Sequence, residues 1–105
     1  METRARFIVL WGTPTDPAQF DRHYREVHIP LVKQLPELRR YTLSRNVVPV
    51  RGDDPYYLIV ELDFPDIVAL SSAFRSPQGL ATAADVAELA TWATVRSMIY
   101  QLEDA

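Results

Sequence analysis

Two histidines, His23 and His28, stand five residues apart in the stretch DPAQFDRHYREVHIPLVKQL at positions 16–35, and they are the only imidazoles in the chain. Imidazole changes charge near neutral pH, so acid–base chemistry is sought there first. The stretch reads as one long amphipathic helix. Asp16 suits the N-cap, Pro17 the first helical position, and Gln19 the far corner of a capping box. Phe20, Tyr24, Val27, Leu31 and Leu35 recur at spacings of four, three, four and four, the pattern of one buried stripe. His28 follows Tyr24 by four residues, about 40° round the helix at roughly 100° per residue, and so lies beside that stripe. His23 is about 140° from His28 by the same arithmetic and is expected to face outward. Pro30 lacks an amide hydrogen and crowds the preceding turn, so a kink is expected where His28 sits.

A histidine of near-neutral pKa beside apolar residues can take a proton from an activated carbon or a phenol. The same residue could instead be a buried ring satisfied by a carbonyl that Pro30 frees, or by Tyr24. The Tyr24 hydroxyl, one turn earlier, could orient the His28 ring or a ligand; a core aromatic with a polar tip has the same sequence signature. Trp11 and Tyr41, in strands, would give flat walls for an aromatic substrate, and Phe74 and Trp92 would close such a pocket. Plain packing accounts for the same four residues. Asp21, Arg22, Arg25 and Glu26 read as a solvated, ion-paired face.

Other chemistries lack their residues. Two histidines on different faces of a helix cannot share a metal, and no clustered carboxylates or H-E-x-x-H motif suggest one. The chain has no cysteine, which removes thiol nucleophiles and disulfides. Gly12, Gly52 and Gly79 are isolated, so there is no phosphate-cradling loop. Ser71, Ser72 and Ser76 lack a nucleophile-elbow context. No flavin or haem motif is evident, and no cofactor is expected. A net charge of −3 argues against a nucleic-acid surface and against attachment to anionic lipid. The apolar run near the N-terminus is too short for a signal peptide or a membrane span, so a cytoplasmic protein is expected.

The elements that must position these side chains follow in order. Residues 6–12 (RFIVLWG) read as a strand, then comes the helix, which Pro36 stops. Residues 38–46 (LRRYTLSRN) read as an edge strand, polar on both faces. Residues 47–55 are a turn. Residues 56–64 (YYLIVELDF) alternate, with Tyr56, Leu58, Val60, Leu62 and Phe64 on one face and Tyr57, Ile59, Glu61 and Asp63 on the other. Pro65 and Asp66 start a helix through Phe74. Ser76-Pro77 caps an alanine-rich one reaching about Trp92, and residues 94–102 close with a strand. At 105 residues, 48% of them hydrophobic, this is a single domain spanning residues 1–105. The order β-α-β-β-α-β predicts an α+β, ferredoxin-like sandwich: a four-stranded antiparallel sheet with helices on one face. The first strand is apolar on both faces, which a half-solvated strand should not be. The uncovered face is therefore expected to meet the sheet of an identical subunit, giving a homodimer.

The residues WGTPTDPAQFDRHYREVHIPLVKQLPELRRYTLSRN, and later FRSPQGLATAADVAEL, resemble the EthD family of the dimeric α/β-barrel superfamily. HYREVHIPL and the SPQG turn before ADVAEL are the most specific parts. The resemblance implies a ferredoxin-like subunit, a homodimer built sheet to sheet, and a small apolar cavity between sheet and helices. The family's helix motif has a histidine followed two residues later by a proline, which His28-Ile29-Pro30 matches. Relatives in the superfamily include cofactor-independent monooxygenases, polyketide cyclases and muconolactone isomerases, though fold-level analogy does not fix an activity. The expectation is a protein for a small hydrophobic or aromatic compound, either an oxidoreductase, cyclase or isomerase with His28 as acid/base, or a non-catalytic accessory working beside a monooxygenase system.

Overall fold

The computed structural model describes residues 4–53 and 55–105; Asp54, expected in the turn between the second and third strands, lies outside them. The chain runs β1 (Ala5–Trp11), α1 (Pro17–His23), a π-helical turn (Tyr24–His28), α2 (Ile29–Val32), β2 (Arg40–Ser44), β3 (Leu58–Phe64), α3 (Ile67–Arg75), α4 (Pro77–Leu89) and β4 (Val95–Gln101). The strands form one antiparallel sheet in the order β2-β3-β1-β4, with β3 inserted between β1 and β2. This is the α+β, ferredoxin-like arrangement expected from the element order. Ala5, Val9 and Trp11 of β1 and Leu58, Val60, Leu62 and Phe64 of β3 are buried on the helix-covered face.

The caps are those the residue types call for. Asp16, Asp66 and Ser76 each accept from the backbone N–H three residues on, at 3.2, 2.8 and 3.0 Å. Ser76 ends α3 and starts α4 at once, and Gly79 lets the new helix pass close over the end of the old one. A Cβ on Gly79 would collide with the carbonyl oxygens of Ala73 and Phe74.

The first helix departs from the expected pattern. A straight helix would bury Val27 and Leu31, yet Val27 is 40% exposed while His28 and Val32 are buried. The reason is the π turn, in which the Ile29 N–H bonds the Tyr24 carbonyl, five residues back. One extra residue in the turn makes everything after it lag by roughly one position, about 100°. The buried series becomes Phe20, Tyr24, His28, Val32. Helical structure ends at Val32, ahead of the expected stop before Pro36, although Leu35 still packs into the core. Tyr57 also departs. It precedes β3 and turns to the helix side, its ring edge-on to Phe20 at 6.0 Å and its hydroxyl donating to Asp21 at 2.8 Å.

Among the described residues no helix covers the other face of the sheet. Cross-strand register places Ile8, Leu10, Ile59 and Met98 together there, beside Arg6, Glu61 and Asp63. Arg6 binds both carboxylates, with contacts of 2.7 Å to Glu61 and 2.6 Å to Asp63. Its guanidinium holds the Asp63 carboxyl below the usual range.

Two stability outcomes follow. Gly79→Ala is expected to destabilise by about 1–3 kcal/mol, since the helix start must shift to admit the methyl group, and chemical denaturation measures it. Asp63 has a depressed folded pKa, so its contribution is full above the unfolded value of about 3.9 and is lost as pH falls through the lower folded value. Asp63→Asn should therefore be less stable than wild type at neutral pH, and the two should converge in acid.

Candidate functional site

The site forms where α4 crosses the π turn. Asp85 reaches from α4 to both histidines: His23 Nε2 lies 2.7 Å from Asp85 Oδ1 and His28 Nδ1 lies 2.8 Å from Oδ2. Five residues would separate the rings by about 140° on an α-helix, but with hydrogen bonds spanning five residues that interval closes roughly one turn. The expectation that His23 faces outward is therefore overturned: its side chain is 21% exposed and its ring packs against Trp92 at 5.6 Å. The rings converge on a carboxylate. Among the described residues no group of three or more His, Cys, Asp or Glu is placed to hold a metal ion.

A carboxylate only accepts hydrogen bonds, so His28 donates through Nδ1 and its neutral tautomer leaves Nε2 as a bare lone pair. Among the described residues Nε2 has no hydrogen-bond partner. Among the described residues no side-chain nitrogen or oxygen sealed from solvent lacks a partner, so Nε2 opens onto accessible space. Burial lowers the His28 pKa below its ordinary value, against the opposing pull of Asp85. At neutral pH the ring is uncharged and able to accept a proton.

Tyr24 contributes its ring and not its hydroxyl. The ring stands 5.0 Å from that of His28, while the hydroxyl pairs with the Tyr41 hydroxyl at 2.8 Å. Burial pushes the Tyr24 phenol far above its ordinary pKa and that of Tyr41 up to about 12, so both stay protonated. The expected role of the Tyr24 hydroxyl as an orienter of His28 is not what the geometry offers.

Among the described residues, a larger and a smaller void lie between sheet and helices. The larger, about 260 Å³, is walled by Phe7 and Leu62 from the sheet and by Phe74, Gly79 and Val86 from the helices, with Leu35 at its side. Thr82 and Ser97 bring its only polar side chains, and the Thr82 hydroxyl is already bonded to the Gln78 carbonyl at 2.9 Å. The smaller, about 30 Å³, touches Trp11, Tyr24 and His28 and has room for water but not for a ligand ring. Phe7, Leu62, Thr82 and Val86 line both, so the voids stand back to back. Of the expected wall residues, Phe74 lines the larger void and Trp11 the smaller. Tyr41 and Trp92 line neither; they support Tyr24 and His23.

Asp85 is absent from the residues expected at the site. A faint signal exists: Thr82, Val86 and Leu89 recur as the inward stripe of α4, and Asp85 is the one carboxylate beside it. What the pattern could not supply is its partners, 57 and 62 residues away.

The fold and the buried Asp85–His28 pair define an α+β domain with an apolar cavity, and comparison with known proteins gives its family. Residues 12–91 match the EthD domain. The chain is 37% identical over 87 residues to an uncharacterized 11.0 kDa protein of Rhodococcus erythropolis, encoded in the thcB-thcC intergenic region, covering 82% of this chain and 84% of that protein. A crystal structure of an EthD family protein from Bacillus halodurans matches at 30% identity and a TM-score of 0.82, covering 95% of this chain and 99% of that one. The chain belongs to the EthD family. More distant structures share the fold. One is SnoaB, a cofactor-independent oxygenase from Streptomyces nogalater, at 19% identity and a TM-score of 0.70, covering 97% and 95% of the two chains. Another is a dimeric ferredoxin-like protein from Thermobifida fusca, at 18% identity and 0.70, covering 97% and 93%. Among the described residues no helix is long and apolar enough to cross a membrane.

Asp85 raises the His28 pKa through both its hydrogen bond and its charge. Asp85→Asn should therefore lower the His28 midpoint further and abolish the preference for the Nδ1–H tautomer, both read from ring ¹⁵N shifts in an NMR titration.

Proposed function

We propose that this EthD-family chain binds a small hydrophobic compound, aromatic or polyketide-like, between sheet and helices and acts on it without a cofactor, with His28 as general base. The observation that supports this best is the Asp85–His28 pair, which leaves Nε2 unprotonated on a residue that lines the smaller void, back to back with a cavity of about 260 Å³. In the proposed step Nε2 takes a proton from an acidic C–H or a phenol O–H. The electron pair stays on the substrate as an enolate or phenolate, and the imidazolium remains against the Asp85 carboxylate. Return of the proton elsewhere completes an isomerisation; addition of the enolate carbon to a carbonyl of the same molecule, whose oxygen takes the proton, completes a cyclisation; attack of the carbanion on dioxygen, as co-reactant, begins an oxygenation. Burial favours the base by keeping it neutral near the working pH.

A second reading, a non-catalytic binding or accessory protein, draws on a specific feature. The larger cavity has nearly all-apolar walls and does not touch His28. A ligand confined to it would be held but not deprotonated.

We also propose that the subunit pairs with a second copy through the uncovered sheet face. Ile8, Leu10, Ile59 and Met98 form an apolar patch there that water would otherwise meet.

Native mass spectrometry of freshly purified protein reports subunit number and retained ligand together. Leu10→Arg should convert a dimer to monomer, and a wild-type monomer at micromolar concentration overturns the pairing. For the retained compound, exchange of its acidic proton in D₂O should slow by about 10²–10⁴-fold in His28→Ala while binding persists. Exchange at the wild-type rate removes the base and leaves the binding reading.

A further inference from the structure

The Asp85 carboxylate serves two imidazoles, and the proposed reaction uses only one. Each ring takes a different oxygen, so the histidines do not compete for one lone pair. Held by His28 alone, the carboxylate could turn about its last torsion, which is broad for aspartate. Held at both oxygens, it has one orientation. His23 is itself fixed. Its ring packs against Trp92, 5.6 Å between centroids, and the Trp92 carbonyl is tied to the Thr15 N–H at 2.8 Å. Within the trio the side chains of His28 and Asp85 are 6% and 10% exposed, against 21% for His23, which makes His23 the member in contact with water.

We propose that His23 is a positioning residue for His28: it orients Asp85 through Oδ1 so that Oδ2 holds the reactive tautomer. The titratable groups facing His28 are Asp85 on α4, Tyr24 on the same π turn, and His23 at the end of α1. The His23 Nε2–H donates to Oδ1, so the carboxylate cannot turn away from His28 without giving up that bond.

The proposal rests on reading His28 as the base, yet its test needs no turnover. The ring resonances of His28 are followed by NMR across its titration in wild type, His23→Gln and His23→Phe. His23→Gln keeps a neutral N–H donor for Oδ1; His23→Phe keeps a ring against Trp92 but offers Asp85 nothing. The Nδ1–H tautomer should weaken in His23→Phe and recover in His23→Gln. An Nδ1–H population in His23→Phe equal to that of wild type overturns the proposal. Should His23→Phe fail to fold, His23→Leu takes its place: it too offers Oδ1 no donor, and an unchanged tautomer overturns the proposal. This outcome is separable from that of His28→Ala, because proton exchange of the ligand can survive the loss of His28 while the tautomer still depends on His23, and the reverse.

Discussion

Pro30 cannot give its carbonyl partner one turn back an amide hydrogen, and its ring crowds that turn. Just upstream the helix widens by one residue, closing Ile29 onto Tyr24. That local departure decides the side-chain register of the rest of the element. It moves Val27 toward solvent, brings His28 and Val32 onto the sheet, and carries His28 round to the side that already holds His23. Without the wide turn the two rings would face apart and no single carboxylate could reach both.

Asp85 makes the arrangement tenable. A carboxylate drawn from water needs donors, and a buried imidazole needs an acceptor for its N–H. Each meets the other's requirement, and His23 occupies the oxygen that would otherwise be idle. α4 can present Asp85 at the right height because Gly79 lets it start hard against the end of α3. The loop before β4 completes the support: Gly12 N–H bonds the Thr94 carbonyl at 2.9 Å, and Trp92 is brought against His23. A site made of three side chains therefore depends on a helix defect, a close helix crossing and a loop tie, none of them adjacent in sequence.

That distribution explains what could be read from the chain and what could not. The strands, the caps at Asp16, Asp66 and Ser76, and the β-α-β-β-α-β order rest on alternation and on residue types acting within a few positions, which a sequence displays directly. His28 was also legible as the polar residue beside a stripe. A straight 3.6-residue period puts Val27 and Leu31 in the stripe; Pro30 signals a disturbance but not whether the helix will kink or widen. Asp85 was out of reach for a different reason. Its meaning lies in two contacts made across the tertiary fold, and a lone aspartate in an alanine-rich helix is ordinarily a solvated one. Tyr57 illustrates the same limit at a strand end, where the period-2 pattern no longer binds the side chain to a face.

The two voids define the chemistry that the site can support. A ring-sized ligand fits the larger one, yet only the smaller meets His28, and the partition is made of Phe7, Leu62, Thr82 and Val86. Thr82 and Val86 lie on α4, the helix that carries Asp85, so a movement of α4 that opened the partition would also move the carboxylate that holds His28. A ligand admitted by such a movement would disturb the tautomer control as well. A ligand that remains in the outer cavity leaves the dyad intact and unused. One that reaches Nε2 has to do so with the Asp85 contact preserved, which favours a slender reactive edge on an otherwise apolar body over a bulky group at the acidic position.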